Sequence, residues 1–316
     1  MEFYHPHYGQ LYRVPLTPPD TPDPYLVLPH ACIEEVLQDY ALAAGKARLV
    51  RPAKVIDLVR ESSTGRVCGV RYQDANGEAQ AFACLVVGTD GHRSVVRTHL
   101  GIAWHPYHYD HAYLGLEADR PPSYENALSL HIHAAGGVLL MPHPGRVGIG
   151  CLVEAGSASH WLSLNDKQLA EALVGRAPIL AGMTLYRQGA HVYALTRSHA
   201  LRYCMDGAVI IGDAAHCTNP TAGQGMAMAL TDAGALAELV GPALENGARH
   251  LDQSLMAFEA RQWPLNQRLV RSSHIVARLY ALRGPAWSRC KIALLRVLAN
   301  PLTAKLVRPL IASFLN

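Results

Sequence analysis

The sequence predicts an α/β protein with an inserted antiparallel sheet and a C-terminal helical segment. Two apolar runs, "LVVGTDG" at 85–91 and "VIIGDAA" at 209–215, each end on a carboxylate corner and lead into a helical pattern. Strands of α/β sheets end this way at the edge where ligands bind. Between the corners, over 104–201, runs such as "ALSLHIH", "GVLLMP" and "VGIGCLV" read as antiparallel strands. Past 253 the pattern is amphipathic and helical.

The elements follow in order. "PLTPPDTPDPYLVLP" (15–29) carries six prolines, which exclude regular structure over much of its length. Ile33, Leu37, Tyr40, Ala41 and Ala44 then recur at helical spacing until Gly45. Strand-like runs cover Val55–Val59, Val67–Tyr72 and Phe82–Val87, with Asn76-Gly77 as a hairpin signal. Ser94 is placed to cap a helix after the first corner. A helix is expected near Asp166–Val174. After the second corner, Met226, Leu230, Ala233, Ala237 and Val240 mark one helix face, ended by Gly241-Pro242. Breaks at Pro264, Gly284-Pro285 and Pro301 should interrupt the tail.

With 316 residues, half of them hydrophobic and 17% charged, the chain is globular. The seven cysteines show no CxxC pair, which argues for reduced thiols in a cytoplasmic protein without a disulfide frame or zinc site. His105, His108, His111, His131 and His133 sit in tyrosine-rich, Cys-free sequence with few carboxylates, so no metal is expected. Neither a signal peptide nor an apolar run of the roughly 18 residues that span a membrane is read. The net charge of +3 hides nine Lys or Arg, and no Asp or Glu, from Leu265 to Asn316. Such a region can meet phosphates, a membrane surface or an acidic face of its own protein. Peripheral membrane contact is thus a candidate property, and nucleic acid is not an expected partner.

A carboxylate at a strand's carboxyl end can accept hydrogen bonds from polyol hydroxyls. A glycine-rich turn lets backbone approach a flat ligand, and the helix behind it favours a developing anion. Polyol, flat ring and developing anion together describe a reduced flavin. At this point the chain resembles the FAD-dependent aromatic-hydroxylase type of flavoprotein monooxygenase. "GDAAHCTNPTAGQGMA" is similar to that family's GDAAHxxxPxxGQGxN, and Asp90-Gly-His-Arg-Ser94-Val-Val-Arg97 is similar to its DGxxSxVR. "LVLPHACIEEVL" resembles its Pro-Gln or Pro-Arg segment, with His30 at the variable place.

The resemblance implies an FAD-binding Rossmann-like domain in two parts, 1–103 and 202–253, around a substrate-binding sheet domain at 104–201, with a helical region at 254–316. It implies that Asp213 binds the ribityl chain, that Pro220 and Gly223–Gly225 line the isoalloxazine, and that Asp90 lies near the diphosphate. The implied cofactor set is Asp90, Gly91, Gly212, Asp213, Pro220, Gly223, Gln224 and Gly225. Tyr107, Tyr109, Tyr113, His131, His133 and Met141 are substrate-wall candidates by their place in the sheet domain. The implied activity is NAD(P)H- and O2-dependent hydroxylation or epoxidation of an aromatic or lipophilic small molecule through a flavin C4a-hydroperoxide. No side chain is assigned as catalytic. His216 reads either as a structural residue at the corner or as a direct participant. Arg97 reads as a phosphate contact or a surface ion pair.

Departures from the pattern keep alternatives open. No GxGxxG occurs in the 316 residues, and the family's first βαβ unit is expected to be missing, leaving the Rossmann-like domain incomplete. Ala227 and His30 also differ from the family's residues. Either the gene start lies upstream or the protein is shortened, with weakened FAD binding. A non-catalytic remnant or partner subunit is therefore an alternative. A related reductase or halogenase is another, although the halogenase GWxWxIP signature is absent.

Overall fold

A computed structural model describes residues 1–13 and 28–300. The proline-rich segment, apart from Leu28 and Pro29, and the tail from Pro301, with Lys305 and Arg308, lie outside the described residues. Along the chain run β1 (Glu2–His5), β2 (Gly9–Arg13), α1 (His30–Ala43), β3 (Ala53–Arg60), β4 (Val67–Asp74), β5 (Gly77–Phe82) and β6 (Val86–Gly88). Then come α2 (Val95–His99), β7 (Tyr107–Asp119), β8 (Ser129–His131), β9 (Val138–His143), β10 (Arg146–Glu154), α3 (Ala158–Ser163) and α4 (Asp166–Val174). The last are β11 (Leu185–His199), β12 (Cys204–Met205), β13 (Ala208–Ile210), β14 (His216–Cys217), α5 (Gly225–Glu245), α6 (Leu251–Ala281) and α7 (Pro285–Ala299).

The chain divides into two compact units, one of residues 1–47, 109–195 and 279–316, the other of 48–108 and 196–278. The sequence places 1–103 in one domain part, whereas the described residues up to Ala47 belong with the sheet unit. In that unit the strand order runs β11-β7-β10-β9-β8-β1-β2. One face of its sheet carries Ala112, Leu114, Leu116, Val138, Leu140, Val147, Ile149 and Cys151, packed with Trp161, Leu169 and Leu173 of α3 and α4. Helix α4 spans the predicted residues because Asn165 and Gln168 form a reciprocal capping box.

The other unit holds two three-stranded sheets, β12-β13-β6 and β3-β4-β5. Here the expected strand Phe82–Val87 proves to be two. After β5, Ala83 N donates to Cys68 O, and the chain then turns so that Val86 N donates to Gly207 O in the other sheet. The Asn76-Gly77 hairpin joins β4 to β5.

The long helices also correct the reading. Helix α5 continues through Gly241-Pro242 to Glu245, and its buried stripe is Met228, Asp232, Ala235, Leu236, Val240 and Ala243. Met226 and Leu230 are half-exposed. A face chosen by apolar residues alone passes over Asp232 and so comes out rotated. By length and composition α5 is apolar enough to cross a membrane, and its inner stripe joins Leu251, Leu255 and Phe258 of α6 in the core of this unit. Helix α6 runs unbroken through Pro264, whereas Gly284-Pro285 does separate α6 from α7. Helix α1 forms where its periodicity places it, but none of its residues is buried.

Leu173 is fully buried under the sheet. Leu173→Ala should cost about 2–5 kcal/mol of stability, read by urea unfolding; a loss under 1 kcal/mol would contradict this placement of the core.

Candidate functional site

Strands β6 and β13 pair in parallel, with Ala208 opposite Val86 and Ile210 opposite Gly88. The register carries on one residue further, as Ile211 N donates to Gly88 O at 3.0 Å. Both carboxylate corners therefore leave the same edge of one sheet, as the sequence predicts.

Asp90 is committed locally. Its Oδ2 accepts from Val95 N at 2.6 Å and Val96 N at 3.1 Å, while Ser94 Oγ accepts from Arg97 N at 2.9 Å. The predicted Ser94 cap is present, and Asp90 reinforces it at the start of α2. Gly91 takes a left-handed φ of 78° in the turn between them. Arg97 is neither a phosphate contact nor a surface ion pair. It is 3% exposed, donates to Ala214 O at 2.6 Å and His92 O at 2.7 Å, and lies 3.9 Å from the Trp104 ring centroid. Burial lowers its pKa, with Asp90 opposing the shift. The guanidinium thus straps the two corners together.

The second corner is built around Asp213. Its side chain is accessible, in contrast to Gly212, Ala214, Ala215 and His216 around it. Surrounding protein desolvates the carboxyl and raises its pKa, while His216 and His92 pull it down. Asp213 is therefore exposed to solvent while its neighbours in the loop are buried. Gly212 has φ 58°, and a Cβ there would come within 3.2 Å of Ala229 Cβ on α5. Backbone conformation and helix contact both call for glycine.

Beyond the corner, Asn219 Oδ1 accepts from Thr221 N at 3.0 Å and from Thr221 Oγ1 at 2.6 Å, opening a short 3-10 turn at Pro220–Ala222. The turn ends on Gly223 at φ 64°, ψ 19°, where a Cβ would meet nothing within 4 Å. This glycine answers to backbone conformation, and space stands open in front of it. Gln224 and Gly225 begin α5, whose first ladder bond is Met228 N to Gln224 O at 2.9 Å. The amides ahead of Met228 lie outside that ladder, at the end of the helix that favours an anion.

Sequence reasoning missed the group behind the corner. Asp232 Oδ2 accepts from His216 Nε2 at 2.6 Å and from Gly212 N at 3.1 Å, and its Oδ1 accepts from Asn266 Nδ2 at 2.8 Å. A polar residue inside an otherwise apolar helix stripe was the available signal. The neighbouring Cys217 thiol, raised to about 12 first by burial and then by Asp213, stays protonated at neutral pH.

The substrate-wall candidates do not form one group. Tyr107 belongs to the unit of the corners, its ring edge-on to His274 at 4.8 Å. In the sheet unit, Tyr113 and Met141 share a face with Gly115, Gly148, Gly150 and Leu139, because Gly150 pairs with both Gly115 and Leu139 and Gly148 pairs with Met141. Tyr109 lies on that face but is buried, tilted against His111 at 4.9 Å. His131 pairs with Val138 and so lies on the opposite face, stacked on Tyr4 at 5.1 Å. Burial pushes His131 down to about 4. His133 leaves the strand, its Nδ1 accepting from Ala135 N at 3.1 Å. A strand's period of two set the faces, which runs quoted without register could not. Among the described residues no cluster of His, Cys, Asp or Glu could hold a metal.

A profile of the FAD binding domain matches residues 5–273. The chain belongs to the FAD-binding-domain family. It is 29% identical over 245 residues to a ubiquinone hydroxylase of Rhodospirillum rubrum, covering 74% of this chain and 54% of that protein. It is 28% identical over 229 residues to the 3-demethoxyubiquinol 3-hydroxylase of Escherichia coli, covering 66% of this chain and 52% of that one. The chain spans about half the length of these curated relatives. Its fold is that of p-nitrophenol 4-monooxygenase PnpA from Pseudomonas putida, at a TM-score of 0.79 and 17% identity over 99% of this chain and 80% of that one. It is also that of Pseudomonas aeruginosa PqsL in complex with 2-aminobenzoylacetate, at 0.74 and 21% over 89% and 77%.

Because Asp90 spends its carboxylate on helix α2, Asp90→Ala should lower stability by about 0.5–2 kcal/mol in chemical unfolding. Unchanged stability would show that the cap contributes nothing.

Proposed function

We propose that the protein is an FAD-dependent monooxygenase that uses NAD(P)H and O2 to hydroxylate an aromatic or quinol-type ring bearing an apolar tail. The observation that carries this reading is the Gly212–Asp213 corner. An accessible carboxylate stands at the carboxyl edge of a parallel strand pair, followed by a left-handed glycine with open space before it and a helix N-terminus. These features fit the ribityl and ring half of FAD. Asp213 would accept from a ribityl hydroxyl, Pro220 and Gly223 would bound the ring, and the amides of Gly225 and its neighbours would favour negative charge on it.

Bound FAD would supply the electron transfer and oxygen activation that amino-acid side chains lack. The chain's own part is to bind, orient and exclude water. Tyr113, Leu139 and Met141 offer an aromatic and apolar wall on one sheet face, where Tyr193 covers Gly115 and His143 covers Gly148. Such a wall suits a flat ring. The hydroxylases of ubiquinone and demethoxyubiquinol among its relatives support a quinol-type substrate. Exposed Trp287 and Leu294 on α7, beside exposed Arg289, support contact with an anionic membrane surface, where such a substrate would dissolve.

Asp213→Ala should weaken FAD binding roughly ten- to a hundredfold, the worth of about 1.5–3 kcal/mol for a hydrogen bond to a charged group. Affinity should also fall as pH drops through the raised pKa of Asp213, starting at a higher pH than an ordinary carboxylate would give. Flavin fluorescence titration reads both; equal affinity in mutant and parent would reject the assignment.

A further inference from the structure

We infer that His216, Asp232 and Asn266 act together as positioning residues that hold the Asp213 loop in its ligand-binding shape. The inference rests on the reading that the Gly212–Asp213 corner holds FAD. One oxygen of Asp232 accepts from both ends of the segment that carries Asp213: Gly212 N at 3.1 Å and His216 Nε2 at 2.6 Å. Its other oxygen accepts from Asn266 on α6 at 2.8 Å, which fixes the plane of the carboxylate. Asp232, His216 and Asn266 are 0%, 1% and 2% exposed, so the clamp works where competing water is excluded.

The geometry separates two jobs. Asp213 is exposed to solvent, whereas His216 faces inward and has its Nε2 engaged by Asp232. His216 therefore acts through the backbone it holds. Two of the three donors share Oδ2, so losing that acceptor leaves buried N–H groups of Gly212 and His216 without it, and the loop must shift to satisfy them. Asn266 belongs to an inward stripe of α6 that continues to Ser273, whose Oγ donates to Asn219 O at 3.1 Å. The same helix thus braces both the Asp213 corner and the Pro220–Ala222 turn.

The test measures FAD affinity of the full chain by fluorescence titration, with far-UV circular dichroism and thermal unfolding on each variant. His216→Gln can place an amide N–H where Nε2 stands, whereas His216→Leu keeps bulk but no donor; Asp232→Asn removes one acceptor. Parental affinity is expected for His216→Gln, and a loss of roughly tenfold or more for His216→Leu and Asp232→Asn in folded protein. Should Asp232→Asn fail to fold, the two His216 variants decide. The inference is overturned if His216→Leu binds like the parent, if His216→Gln binds as weakly as His216→Leu, or if His216→Leu unfolds at the assay temperature, which would assign the network to folding. Asp213→Ala is the control that separates the two ideas. If it binds FAD as well as the parent, the reading of the corner has failed; if it alone loses affinity, only the clamp has.

Discussion

The parallel pairing of β6 with β13 is the constraint on which the candidate site depends. It is only three residue pairs long, yet its direction decides that Asp90 and Asp213 emerge from one edge. An antiparallel pairing would send the two corners to opposite ends. So short a pairing needs reinforcement, and Arg97 provides it from α2 by donating to a carbonyl of each corner. On the other side Asp232 ties the second corner to α5 and α6.

Both reinforcements are buried ionisable groups, which are costly to desolvate unless fully satisfied. Each is met by several partners: Arg97 by two carbonyls and the Trp104 face, Asp232 by three donors. An apolar replacement of similar volume would fill the same space without fixing direction. Here direction matters, because Asp213 has to point out of a loop whose other residues are buried. The core around Phe258, Tyr203 and Ile210 supplies the bulk of the burial, and the polar clamps supply the aim.

Features governed by local chemistry were legible in the sequence. The Ser94 cap, the helix at Asp166–Val174 and the two strand-to-corner transitions each depend on residues adjacent in the chain. Features governed by partners far along the chain were not. Phe82–Val87 reads as one strand because its two halves are equally apolar, and only pairing to different sheets separates them. Asp232 escapes a reading of helix faces by apolar residues alone, because it is the polar member of a buried stripe. His131 and Met141 were grouped by position in the sheet domain, and register puts them on opposite faces.

On the function proposed above, FAD would be held by the segment from Gly212 to the first turn of α5. Hydrogen–deuterium exchange of the full chain with and without saturating FAD tests it most directly. Slowed exchange is expected to concentrate in the peptides covering 212–228, where the Asp213 loop and the start of α5 would meet the ligand. Slowed exchange confined to other segments, with 212–228 unchanged by FAD, would contradict it.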